Sequence, residues 1–508
     1  MVTPPSLKIA QILCASLWCL FAAGVVFGFA AFKSVLLSEG VYSDLCQADK
    51  STGPCVKQDL KLNLLFTIAA GVTNVIALPV GWILDHYGPR ICGIVGSLWI
   101  AAASLIFVWS RELESYCDPY LLGYTSLAIG GPFVFISSFQ LANSFPKKSG
   151  SILALITGTF DSSSALFLLY RVTYQKHNGH PHLPTFFKFY LIVPLFIVIC
   201  QMAIMSHDSY KTQGEVVKLT TEGLDENGQL LEGDDGSAII PNVQERESLL
   251  SQEALEYNES VQAQNGRRKS VLENYVEAKL ERSSGGAFGI LHGLTVKEQL
   301  RNPLFYLMVI FATICMLRIN YFVATIRSQE DYLLKDPQLA SKMNSIFDIA
   351  LPLGGVISIP FTGLILDHLD TLSTLTLVSV ASIAIGILGL IPNSFTANLL
   401  GILLLVVYRP FYYTVISDYV SKIFGFETFG TVYGALISIS GVCNMLQSVL
   451  DSWTHNTFHM NPFPVNSVLV LATIISSFVL LRNLQLNVRR RNCAKAVAEP
   501  GHTTYGSA

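Results

Sequence analysis

The apolar residues of this chain come in blocks. Twelve runs are each long enough to cross a hydrocarbon layer: 9–31, 62–84, 91–110, 119–142, 149–171, 187–206, 303–324, 344–366, 373–392, 396–417, 430–451 and 464–482. A crossing takes about 20 helical residues at 1.5 Å each. A polar stretch, roughly 207–301, separates the sixth run from the seventh. The first run is too long for a cleavable signal peptide and is followed by no small-residue cleavage pattern. The pattern predicts an all-α polytopic membrane protein with twelve transmembrane helices.

The order of blocks is itself repeated. GWILDHYGPR (81–90) closes the second run, and GLILDHLDTL (363–372) closes the eighth. Gly, Ile, Leu, Asp and His recur at the same places. A weaker echo relates SGSILALITGTFD (149–161) at the start of the fifth run to FGTVYGALISISG (429–441) at the start of the eleventh, with Gly150 over Gly430. Two echoes at nearly one offset predict a duplicated six-helix unit. The expected domains are an N-terminal bundle (1–206), an acidic linker (207–301), a C-terminal bundle (302–483) and a tail (484–508).

Composition agrees. Hydrophobic residues make up 51% of 508, charged residues 14%, and mean hydropathy is +0.47. A soluble protein carries about 25% charged residues, so much of this surface faces lipid. A net charge of −3 gives no basic face for nucleic acid. No P-loop, G-x-S-x-G or H-E-x-x-H occurs, so ATP-driven pumping and familiar hydrolase chemistry lack residues to carry them. No enzyme activity, cofactor or metal is expected. The three histidines of HNGHPH (177–182) read as a solvated or pH-sensing loop.

The 6+6 plan and the G-x-x-x-D-x-x-G-x-R motif between the second and third runs resemble the major facilitator superfamily. Within it, LDHYGPR, the block 137–167 and the block 409–434 are similar to the sodium-independent L-type facilitators of large neutral amino acids, particularly their fungal relatives. The resemblance implies two bundles rocking about a central site, with both termini and the linker cytosolic. Lysine and arginine counts barely discriminate the two sides. The resemblance also makes Gly81, Asp85, Gly88 and Arg90 gate residues, with Gly363 and Asp367 their second copy. Physically, Gly81 permits close helix approach, and Asp85 can cap a helix N-terminus or pair with Arg90. Gly88-Pro89 forces a turn. In the second copy Asp370 replaces Gly88 and Leu372 replaces Arg90, so only the first half is expected to carry the full lock.

Charges deep in the runs are the candidate site residues. Asp161 lies mid-run ahead of three serines, Arg409 mid-run ahead of Tyr412 and Tyr413, and Arg318 in the outer half of its run. A zwitterionic amino acid needs an anionic partner, a cationic partner and an apolar pocket. Asp161, Arg409 or Arg318, with Tyr412 and Phe160, supply that set. The alternative is a purely structural Asp161–Arg409 bridge. Asn74 and Asn444 are the deepest amides, with interhelical glue as their other reading.

The expected function is facilitated diffusion of large neutral amino acids. Proton-coupled movement using Asp161, or a non-transporting nutrient sensor, are the rivals. Cys46 and Cys55 share the loop after the first run and can close a disulfide, with Cys117 or no partner as alternatives. The linker holds 17 Asp plus Glu against 10 Lys plus Arg and is expected to be mostly disordered, apart from an amphipathic helix at 269–280. Its ERESLL (Glu245, Leu249, Leu250) resembles an adaptor-read sorting signal, favouring a vacuolar or lysosomal membrane over the plasma membrane.

Overall fold

The structure is a computed structural model describing residues 4–46, 56–145, 148–206, 210, 281 and 284–498. Twelve membrane-length helical segments are present among these residues, numbered spans 1–12 in the order of the twelve apolar runs, with Leu183–Ala203 as span 6, Pro337–His368 as span 8, Thr371–Leu388 as span 9 and Phe395–Phe424 as span 10. Spans 2 and 3 run continuously from Val56 to Val108, apart from a break at Ile76 and a reversal at Gly88. Gly88 takes φ 80°, ψ 171°, a conformation open essentially to glycine alone. Pro89 follows, where a missing N–H costs a new helix nothing.

Starts of the other spans obey the same chemistry. Asp118, Asn302, Asp336, Asp370 and Ser394 each accept a backbone N–H in the first turn of the helix that follows. Proline opens three of these helices, Pro119–Ile136, Pro303–Leu334 and Pro337–His368. The helices overrun the apolar blocks. Span 7 continues to Leu334 and span 12 covers Phe463–Ala498. Hydropathy marks the hydrocarbon boundary, whereas backbone hydrogen bonding carries each helix on into polar surroundings.

Three spans break, two of them where glycine brings backbones together. Span 1 is Pro5–Trp18 and Phe29–Ser38, joined through a π turn (Cys19–Ala23) and a 3-10 turn (Val25–Gly28). A Cβ on Gly24 would strike the Phe160 carbonyl, and one on Gly28 the Ser164 carbonyl. Span 5 breaks at the same level, between Ser149–Ser162 and Ala165–Lys176. Span 11 breaks at the equivalent place, after Phe429–Cys443.

The halves meet along two crossings, span 2 with span 11 and span 5 with span 8. Pro79 cannot donate to Val75, which frees that carbonyl. Ser438 fills the gap: its hydroxyl lies 3.1 and 3.0 Å from the Asn74 and Val75 carbonyls and 3.0 Å from the Leu78 N–H. At the other crossing, Gly158 and Gly355 oppose one another so closely that a Cβ on either would meet the other's carbonyl at 2.5 Å.

Residues 284–301, assigned from sequence to the linker, pack on the C-terminal half. Gly289 and Leu291 N–H groups donate to Lys422 and Ile423 carbonyls at 2.9 and 3.0 Å, and Gln299 Nε2 donates to Phe424 at 2.8 Å. Thr295 and Glu298 form a reciprocal cap for the helix Val296–Arg301. The Thr295 hydroxyl bond holds the Glu298 carboxyl below its ordinary range. The ERESLL signal (Glu245, Leu249, Leu250) and the 269–280 helix lie outside the described residues.

Candidate functional site

The two copies of the repeated motif tie the halves together through carboxylate caps. Asp85 Oδ1 accepts the Gly430 N–H at 2.8 Å, and its Oδ2 accepts the Thr431 N–H at 2.6 Å. A carboxylate from span 2 therefore caps span 11, where the helix dipole favours negative charge. The second copy does the same in reverse. Asp367 Oδ1 accepts the Gly150 N–H at 2.8 Å and its Oδ2 the Ser151 hydroxyl at 2.5 Å, capping span 5 from span 8. The two glycines of the weaker echo are thus the amide donors to the two aspartates of the stronger one.

Glycine is required on both sides. A Cβ on Gly81 would overlap the Gly430 carbonyl, and one on Gly430 would strike Gly81 and Asp85. Gly363 and Gly150 stand in the same relation to Ser151 and Asp367. Of the two partners the sequence leaves open to Asp85, the carboxylate takes the helix N-terminus. Arg90 does not pair with Asp85; its Nη2 donates to the Met205 carbonyl at 2.5 Å, tying span 3 to the end of span 6. Where one full lock is expected from the sequence, both halves carry a cap, because capping needs only the aspartate and a facing amide, while Asp370 caps Ser373 of its own helix.

Farther from these caps lies the charge pair. Arg409 Nη2 is 3.6 Å from Asp161 Oδ1, and the residues are 7% and 5% exposed. That distance exceeds a hydrogen bond, and neither Asp161 oxygen hydrogen-bonds any described group. The adjacent breaks in spans 1 and 5 put irregular backbone at the same level, as in cavities lined by discontinuous helices. Arg409 lies over the Phe27 ring, 5.4 Å from its centre. Phe160 stacks on Phe135 with centres 4.3 Å apart and meets Phe27 edge-on. Phe27, Phe160 and Tyr413 each keep part of their surface accessible.

Tyr412 is not part of that wall. Its hydroxyl donates to the Ala312 carbonyl at 2.6 Å, fastening span 10 to span 7. Tyr413 is the residue near both charges. The spacing could have identified it: Arg409 and Tyr413 are i and i+4, stacked on one helical face. Arg318 also departs from expectation. It turns into the C-terminal half, donating to the Ser382 hydroxyl at 3.0 Å, the Thr473 hydroxyl at 3.3 Å and the Ser382 carbonyl. Its helical position points it toward spans 9 and 12, away from Asp161.

The amides divide. Asn74 Nδ2 donates to its own helix at Ala70 (3.0 Å) and sits against Gly441, so it serves the crossing. Asn444 is buried at the span 11 break, its side-chain oxygen without a hydrogen bond. Cys46 is disulfide-bonded; Cys117 is free, which excludes it as partner, and Cys55 lies outside the described residues.

No family model matches the chain. It is 60% identical over 481 residues to Protein FMP42 of Saccharomyces cerevisiae, covering 94% of this chain and 95% of that protein. Equilibrative nucleobase transporter 1 of Bos taurus is 23% identical over 504 residues, covering 92% and 94%. The human Large neutral amino acids transporter small subunit 3 is 32% identical over 159 residues, covering 29% and 28%. Among solved structures, the major facilitator superfamily proton:xylose symporter XylE superposes with TM-score 0.60 at 12% identity, covering 94% of this chain and 96% of that one.

Proposed function

Because the chain belongs to the family of Protein FMP42 and is a transporter of the major facilitator superfamily, we propose that it moves large neutral amino acids by facilitated diffusion. The observation that carries this reading is the Asp161–Arg409 pair, set 3.6 Å apart with both carboxylate oxygens unmet. An amino acid brings an ammonium and a carboxylate on one carbon. Its ammonium satisfies Asp161 and its carboxylate satisfies Arg409, so a substrate missing either group leaves a buried charge unpaired. Phe27, Phe160 and Tyr413 take the apolar side chain. The similarity to a large-neutral-amino-acid transporter supports the same class.

Alternating access follows from the two caps. With Asp85 on span 11 and Asp367 on span 5, the motif end is shut; by the family's orientation that end is cytosolic. Rocking breaks both caps at once, exposing the pair to the other side. Asn444, at the span 11 break, is a second polar contact for a substrate. The membrane is of vacuolar or lysosomal type on the strength of the linker's sorting pattern.

A second reading has its own support. The nucleobase transporter aligns along nearly the whole chain, and the stacked Phe135–Phe160 wall also suits a planar base.

Thermal unfolding of the purified full-length protein separates the two. Leucine and phenylalanine should raise the melting temperature, and lysine and adenine should not. Protection by adenine alone would replace the amino-acid reading with the nucleobase one. Protection by neither class would overturn both.

A further inference from the structure

Arg318 poses a separate problem. It lies near the centre of the 32-residue helix Pro303–Leu334, about 22 Å from the first residue at 1.5 Å per residue. A guanidinium at that depth requires compensation. What it has is neutral: the Ser382 hydroxyl and carbonyl and the Thr473 hydroxyl. Among the described residues no carboxylate reaches it; Tyr408 and Cys315 are its electrostatic neighbours.

Three further observations converge on the same place. Arg318, Cys315, Ser382, Tyr408 and Asn466 line one cavity of about 30 Å³. The Tyr408 hydroxyl is buried there without a well-formed hydrogen bond, although Ser382 and Cys315 lie beside it. Gly386 keeps the guanidinium's room, since a Cβ there would stand 2.6 Å from Nη2. The lining continues to Gly389 and Asn466, at the ends of spans 9 and 12 away from the gate, which gives a route in from that side.

We propose that this cavity of the C-terminal half is a binding site for a small inorganic anion of chloride size, held by Arg318 and the Tyr408 hydroxyl. The chemistry is a cation and a hydroxyl donor converging in a site of low dielectric, where an anion gains most and a neutral guest gains least. The space, about 30 Å³ open to the centre of a water-sized sphere, admits a bare ion of chloride size beside the guanidinium. The site lies among spans 7, 9, 10 and 12, so the anion is a resident partner of the C-terminal half, not a transported substrate at the Asp161 level.

The test is thermal unfolding of the full-length protein in nanodiscs, exchanging sodium gluconate for sodium chloride at constant ionic strength. A saturable rise of roughly 1–3 °C is expected with chloride. Tyr408→Phe should shift the half-saturating chloride several-fold higher, and Arg318→Gln should abolish the dependence. Tyr408→Phe removes one oxygen and keeps the ring, so it tests the site even where Arg318→Gln fails to fold. Equal melting in the two salts, or an undiminished chloride response in Tyr408→Phe, would overturn the proposal.

Discussion

Asp85 and Gly430 are 345 residues apart and joined by a 2.8 Å hydrogen bond. Asp367 and Gly150 repeat the bond with the halves exchanged, at the same length. The duplication is therefore more than a record of ancestry. Each half supplies one carboxylate and one helix N-terminus, and each serves the other's.

Loss of either cap should favour opening at the motif end. Asp85→Ala and Asp367→Ala each remove about 1 kcal/mol of capping, a roughly fivefold fall in the closed-to-open ratio. The sites share no partner, so the double variant should lose roughly 25-fold. Spin labels at His86 and His368, exposed at equivalent places in the two repeats, with Cys117→Ser, would report the distance distribution. An unchanged distribution in the double variant would remove the caps from the gate.

Close backbone approach makes a second expectation. Gly81→Ala should widen the span 2–span 11 crossing and lower the melting temperature, because the added methyl meets the Gly430 backbone. Gly389→Ala is the control. Its Cβ would make only ordinary contacts at 3.5 and 3.8 Å, so its effect should stay within about 0.5 kcal/mol.

The two adjacent tyrosines should separate by readout. Tyr412→Phe loses the bond to the Ala312 carbonyl and should cost about 1 kcal/mol of stability with substrate affinity nearly unchanged. Tyr413→Phe should change affinity with little loss of stability. Melting temperature and substrate titration on the same preparations decide it.

Breaking the buried pair is the costliest change. Asp161→Asn or Arg409→Gln alone leaves one uncompensated charge, worth about 3–5 kcal/mol. The double variant should be closer to the parent than either single, a coupling that a thermal-unfolding double-mutant cycle measures. Additive losses would mean the two charges do not interact.

Much of this architecture was legible in the chain. Twelve apolar blocks and the GWILDHYGPR/GLILDHLDTL echo give the spans and the duplication, because lipid forces long helices and repeats preserve their turns. The Gly150/Gly430 echo was visible too, but its meaning was hidden: capping partners lie in opposite halves, and nothing local names a partner hundreds of residues away. The aim of a mid-span arginine was also hidden. Arg409 and Arg318 read alike in sequence, yet one meets Asp161 and the other turns toward Ser382 and Thr473, because helix rotation is set by neighbours. The break in span 1 has no local signature, since glycines such as Gly24 and Gly28 are common inside membrane helices, and only their contact with span 5 explains them.

The most direct test of the account is uptake of radiolabelled leucine into proteoliposomes carrying the full-length protein, with no sodium and no pH gradient. The account expects saturable uptake that unlabelled phenylalanine inhibits and lysine does not, lost in Asp161→Asn protein that remains folded. Uptake no greater than in empty liposomes, from protein shown to be folded, would contradict it.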